Sequence, residues 1–172
     1  YKGRILPDGR DIKTHYEAWN SYYKEYCVSR AKYGLLVEVF SAYGPSYTLP
    51  EIMNMRDLSE DEVLRERMDK LLHLIWADWA VGQLNGVRGG GRTRIYKEDP
   101  ENIRQLTQWG SGDRWRTMSK VLLNESEWWS PRQVPNHPIQ GMAFVMATTG
   151  YRLPNIIMDI AEDIEGRGEY TY

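Results

Sequence analysis

Ser59-Glu60-Asp61-Glu62-Val63-Leu64-Arg65-Glu66-Arg67-Met68-Asp69-Lys70-Leu71-Leu72-His73-Leu74-Ile75-Trp76-Ala77-Asp78-Trp79 decides the fold class. Leu64, Met68, Leu71, Leu72, Ile75 and Trp79 recur every three or four residues, the apolar stripe of a helix facing a core. Ser59 and Glu62 stand three apart, the spacing of a capping box. The pattern predicts a helix from this point to about Leu84.

Helical patterning continues on both sides. Asp11 or Thr14 caps a predicted first helix that runs to Tyr33. Tyr16, Trp19, Tyr23, Tyr26, Arg30 and Tyr33 fall on one of its faces, and Gly34 stands where a C′ residue belongs. Leu35 to Phe40 is apolar apart from Glu38, and Ser41 to Tyr47 reads as a turn-rich loop. A short helix over about Leu49 to Leu58 carries Pro50 in its first turn. Further on, Lys97 to Gly112 is polar with one short helix, and Asp113 caps another that runs to about Leu123. Trp128 to Pro138 is a loop. Gln140 to Thr149 reads as a helix stopped by Gly150, and Leu153 to Ala161 as a short helix or strand. Helices joined by long loops predict a single all-α domain over residues 1–172, an array of helical hairpins.

Composition limits the function classes. The 172 residues suffice for one domain with a core. A net charge of -2 gives no general attraction to nucleic acid. A single cysteine excludes an internal disulfide framework, and the three histidines have no metal-ligand spacing, so neither a metal nor a cofactor is expected. No membrane span is expected. The chain begins at Tyr1, which reads as a piece of a longer protein. The aromatic residues are skewed, with 7 Trp and 12 Tyr against 2 Phe. Such rings join an apolar body to a polar tip, which suits half-wet clefts as well as helix packing.

The candidate site residues cluster after the central helix. Gly86-Val87-Arg88-Gly89-Gly90-Gly91-Arg92-Thr93-Arg94 joins a permissive backbone to three arginines. Gly89 and Gly90 let a ligand approach the main chain, and Arg88, Arg92 and Arg94 offer forked donors for carboxylates or sulfates. Trp76, Trp79 and Tyr96 supply flat rings beside them. The stretch nearly matches a phosphate loop, but it follows a helix where that loop follows a strand, so the nucleotide reading fails on context. Glu38, in its apolar run, has the setting of a general acid or of a paired structural glutamate. With Asp78 it forms a carboxylate pair of the glycosidase kind if their separation fits. Tyr43 and Tyr47 flank Gly44-Pro45 and either transfer protons or cover the core edge. His137, between Asn136 and Pro138, is the histidine best placed for proton transfer.

One family resemblance is carried by these motifs. Gly34 to Val39, Tyr43, Tyr47-Thr48-Leu49, Trp76-Ala77-Asp78-Trp79 and Gly86 to Arg94, with Tyr151-Arg152-Leu153-Pro154 and Glu165-Gly166-Arg167-Gly168, resemble a group of large exported bacterial proteins. These are similar to heparinase II/III-type polysaccharide lyases and related (α/α) toroid enzymes. The resemblance spans roughly Asp11 to Tyr172. It implies an internal segment of a longer toroid, in a secreted or periplasmic protein, with a polysaccharide or oligosaccharide as ligand and the remaining domains of the parent chain as partners. It implies Tyr43 or Tyr47 as base and acid in a lyase, Glu38 and Asp78 in a hydrolase, and the arginines and tryptophans as the glycan cleft. The alternative is a non-catalytic helical module that binds a glycan or a protein.

Overall fold

The computed structural model describes residues 3–36, 38–40, 43–84, 87–88, 115, 139–163 and 165–166. Those residues are mostly helical: α1 (Ile12–Tyr33), a π-helical turn (Gly44–Thr48), α2 (Leu49–Leu58), α3 (Glu62–Val81), α4 (Ile139–Thr148) and α5 (Asn155–Glu162). Gln83–Leu84 (β1) and Val87–Arg88 (β2) add a two-residue antiparallel pair. Among the described residues no helix is long and apolar enough to cross a membrane.

Side-chain capping explains where the helices start. Asp11 Oδ1 accepts from Thr14 N at 2.7 Å and opens α1, and Gly34, at φ +99°, closes it. Asp61 opens α3 by accepting from Leu64 N at 2.9 Å. This corrects the expected capping box. Asp61 is the cap, Glu62 is the first helical residue, and Ser59 Oγ instead accepts from Asp61 N. α3 also ends at Val81, short of Leu84. The expected loop around Gly44-Pro45 is a π-helical turn that runs directly into α2, with Leu49 N donating to Gly44 O. The apolar segment after Pro154 resolves as the helix α5.

α3 is the central element, packing against α1, α2 and α5. It buries Leu64, Met68, Leu71, Leu72, Ile75, Trp76, Trp79 and Ala80. Each large side chain among them contributes about 1.5–3 kcal/mol when taken out of water. From α2 come Leu49, Ile52 and Met53, and from α5 Ile157 and Ala161. α1 contributes Cys27, whose Sγ lies 3.6 Å from Met68 Sδ, and burial pushes that thiol up to about 11. Asp61 joins the two helices as well. Besides capping α3, its carboxylate takes Lys24 Nζ at 2.8 Å and Asn20 Nδ2 at 2.7 Å from α1. At the other end of α3, buried Gln83 donates to Ala161 O at 2.7 Å and fixes β1 to the end of α5.

Candidate functional site

The two tryptophans expected to line a cleft are core residues. Trp76 is 0% and Trp79 1% exposed. Their rings meet edge to face at 5.5 Å, and Trp115 meets Trp76 at 5.2 Å in the same geometry. The cause is position, because both continue the aliphatic stripe that α3 turns inward. Their indole N–H groups find no hydrogen-bond partner among the described residues. Asp78, on the same turn, is half-buried. Arg88 lies in β2, which places the first arginine of the glycine–arginine stretch on a short hairpin. Gly89, Gly90, Arg92, Arg94, Tyr96 and His137 lie outside the described residues.

The tyrosine candidates are brought together. Tyr43 caps the π-helical turn and Tyr47 lies within it, with ring centroids 5.8 Å apart and Tyr47 59% exposed. Gly44 inside the turn sits so close to the Val39 carbonyl that a Cβ there would overlap it. The same carbonyl accepts from the Trp115 indole at 3.1 Å. Glu38, half-buried, precedes Val39 directly, so the segment that carries it is locked to the turn that carries the tyrosines. π-Helical turns are rare and frequently occur at functional sites.

A polar junction that sequence spacing did not reveal connects α2, α3 and the link between α4 and α5. Asp57 accepts from Thr149 Oγ1 at 2.5 Å, Gly150 N at 3.1 Å and Arg56 Nη1 at 2.6 Å. Burial works against that carboxylate, but the hydrogen bonds from Thr149, Arg56 and Gly150 outweigh it and hold its carboxyl below the usual range. Arg56 also donates to Asp69 at 2.8 Å, and His73 Nε2 lies 3.6 Å from Asp69. The ring of His73 is 5.5 Å from that of Tyr151, which is 1% exposed. An open groove of about 330 Å³ runs alongside, lined by Arg56, Glu62, Arg65, Glu66 and Asp69. Tyrosine, histidine and arginine together suggest proton-transfer chemistry, but the phenol is wrong for it. Burial pushes the Tyr151 hydroxyl far above its ordinary range and Asp69 pushes it further, so it does not serve as a base. The junction acts as a clamp. The residues that build it are 92 and 93 positions apart in the chain, beyond any local pattern.

α1 presents the other aromatic group. It packs on α3 through Asn20, Lys24 and Cys27. Tyr16, Trp19 and Tyr22 are therefore left exposed along its edge, with Tyr23 and Tyr26 half-buried beneath them. Trp19 stacks on Tyr23 at 5.8 Å and Tyr22 on Tyr26 at 6.3 Å. Arg30 continues the ridge, its guanidinium 5.6 Å from the centre of the Tyr26 ring. Among the described residues no group of three His, Cys, Asp or Glu side chains could hold a metal ion.

Compared with known proteins, the chain matches no protein-family model, no curated protein and no solved structure.

Proposed function

We propose that this chain is a segment of a polysaccharide-degrading protein, built from helical hairpins of an (α/α) toroid. The motifs that resemble heparinase II/III-type lyases motivate the reading. The observation that carries it is the Tyr43–Tyr47 pair, joined through a π-helical turn to the Glu38 segment, with the Tyr47 ring open to solvent. In a lyase, Tyr47 or Tyr43 takes the proton beside a uronate carboxyl and returns it to the leaving oxygen, while Arg88, Arg92 and Arg94 hold the carboxylate. In a hydrolase, Glu38 and Asp78 take the acid and base roles. Incubation with a panel of uronate and neutral glycans separates the two. Absorbance from an unsaturated uronate marks elimination, and new reducing ends without it mark hydrolysis. Tyr47→Phe is expected to lower a lyase rate by about 10²–10⁴-fold, the usual contribution of general acid–base catalysis. No turnover on any glycan sinks the enzymatic reading.

A non-catalytic glycan-binding module is the second reading. The burial of Trp76 and Trp79 favours it by removing two cleft residues, and so does the exposed aromatic ridge of α1. Binding without turnover is its expected signature.

A further inference from the structure

We propose that the aromatic ridge of α1 is a platform for an acidic glycan, with Tyr16, Trp19 and Tyr22 under the sugar faces and Arg30 holding a carboxylate or sulfate at one end. The inference rests on the glycan reading above and names a surface and a ligand charge for it. Tyr16, Trp19 and Tyr22 are 48%, 56% and 56% exposed on a helix that fully buries only Cys27. Trp19 and Arg30 are eleven residues apart, close to three full turns, so they share a face about 16 Å apart along the helix. That length accommodates several pyranose rings.

The chemistry of the ridge selects the occupant. Every ring in it ends in a polar tip, either a phenol O–H or an indole N–H. Its flanks are charged: Lys13 pairs with Glu17 at 3.6 Å on one side, and Arg67 with Glu25 at 3.5 Å on the other. Protein–protein interfaces also gather Tyr, Trp and Arg inside a polar rim, so self-association is the competing outcome that the test below reads. A pyranose instead presents a C–H face to a ring and hydroxyls to the polar tips and flanks. The rings are also held in place beforehand, because Trp19 lies against Tyr23 and Tyr22 against Tyr26. Preorganisation of this kind lowers the ordering cost of binding.

Arg30 supplies the charge. Its one hydrogen bond within the described residues is a long one of 3.4 Å to Ser29, it has no carboxylate partner among them, and its Nε is buried without an acceptor. Lys24, by contrast, is taken by Asp61. A guanidinium over a tyrosine ring with donors to spare suits a planar anion at the end of the ridge.

The test uses the protein as it stands, with oligogalacturonate as the acidic probe and cello-oligosaccharide as the neutral one. Titration calorimetry reads binding at two salt concentrations. Trp19→Ala is expected to weaken both probes by about tenfold, the scale of one lost aromatic contact surface. Arg30→Gln, which keeps most of the side-chain stem, is expected to weaken only the acidic probe and to flatten its salt dependence. Circular dichroism melts establish that each variant is folded. If the wild type binds glycan and Trp19→Ala and Tyr22→Ala bind equally well, the ridge assignment is overturned and the glycan reading stands. If Arg30→Gln weakens both probes equally, the anion role of Arg30 is overturned. If the wild type binds neither probe, the ridge assignment falls with the glycan reading. If sedimentation shows concentration-dependent self-association that Trp19→Ala abolishes, the ridge is a protein interface and the proposal fails.

Discussion

Trp76 and Trp79 on α3 are closed off from solvent, while Trp19 and Tyr22 on α1 are more than half exposed. The two helices carry the same kinds of ring at similar spacing, so ring chemistry does not decide which are buried. The neighbours do. On α3 the rings extend a row of Leu64, Met68, Leu71, Leu72 and Ile75, and a row of aliphatic side chains takes them inward. On α1 the surrounding residues are Glu17, Asn20, Ser21, Lys24 and Glu25, and the helix docks through a polar pair and one cysteine. Aromatic periodicity marks a helix face, and aliphatic company determines whether that face becomes core.

The largest test of the contrast is Trp76→Ala. Removing a fully buried ring between Trp79 and Trp115 is expected to cost about 3–5 kcal/mol in denaturant unfolding. A loss below 1 kcal/mol would mean that the α3 rings are not core. Asp57→Ala comes next. It leaves the Thr149 hydroxyl and the Gly150 N–H without their acceptor, and about 1–3 kcal/mol is expected. An unchanged melting temperature would show that the clamp between α2 and the Thr149–Arg152 link adds nothing.

Acid should weaken the α1–α3 contact without touching the aliphatic row. The Lys24 ammonium, Leu64 N–H and Asn20 amide hold the Asp61 carboxyl down at about 2. Its folded value is thus depressed below the ordinary value of about 3.9. The stabilisation is complete above that ordinary value and is lost as pH falls from about 4 toward 2. Melting temperature should drop across that window, and less steeply in Asp61→Asn; identical slopes would remove Asp61 from the account. The smallest effect on stability is predicted for Trp19→Ala, within about 0.5 kcal/mol for a surface position. Acrylamide quenching sharpens the same point. Trp19→Phe should remove part of the quenchable fluorescence, whereas Trp76→Phe should leave that part intact.

Much of the fold was legible because it is written locally. The stripe from Leu64 to Trp79, the Asp11 cap, Gly34 and Pro50 all act within a few residues, and their helices formed close to where they were expected. The cap of α3 shifted from Ser59 to Asp61 because Asp61 also reaches Lys24 and Asn20 on α1, partners that spacing does not reveal. The Gly44-Pro45 pair read as a turn, yet tight contact with the Val39 carbonyl and continuity with α2 wind it into a π-helical turn. In the sequence, Asn85-Gly86, a pair favoured in two-residue hairpin connections, stands between β1 and β2. The candidate site was less legible. Tyr43 and Tyr47 did come together, since they share one turn. The tryptophans failed as cleft residues because their burial depends on which face of α3 meets α2 and α5. The Arg56–Asp57–Thr149 clamp was invisible because it joins distant parts of the chain.

Gln83 has a topological consequence. Its amide reaches the Ala161 carbonyl across 78 residues, so the end of α3 and the end of α5 meet at one knot of contact. That contact closes a covalent circuit of 78 residues at the base of the core. For a closed excursion the entropy grows only with the logarithm of its length, and doubling a flexible loop costs about 0.6 kcal/mol. The circuit is pinned a second time at Trp115, which meets Trp76 and donates to the Val39 carbonyl, so a change in its length is cheap for the helical core only where that anchor is kept.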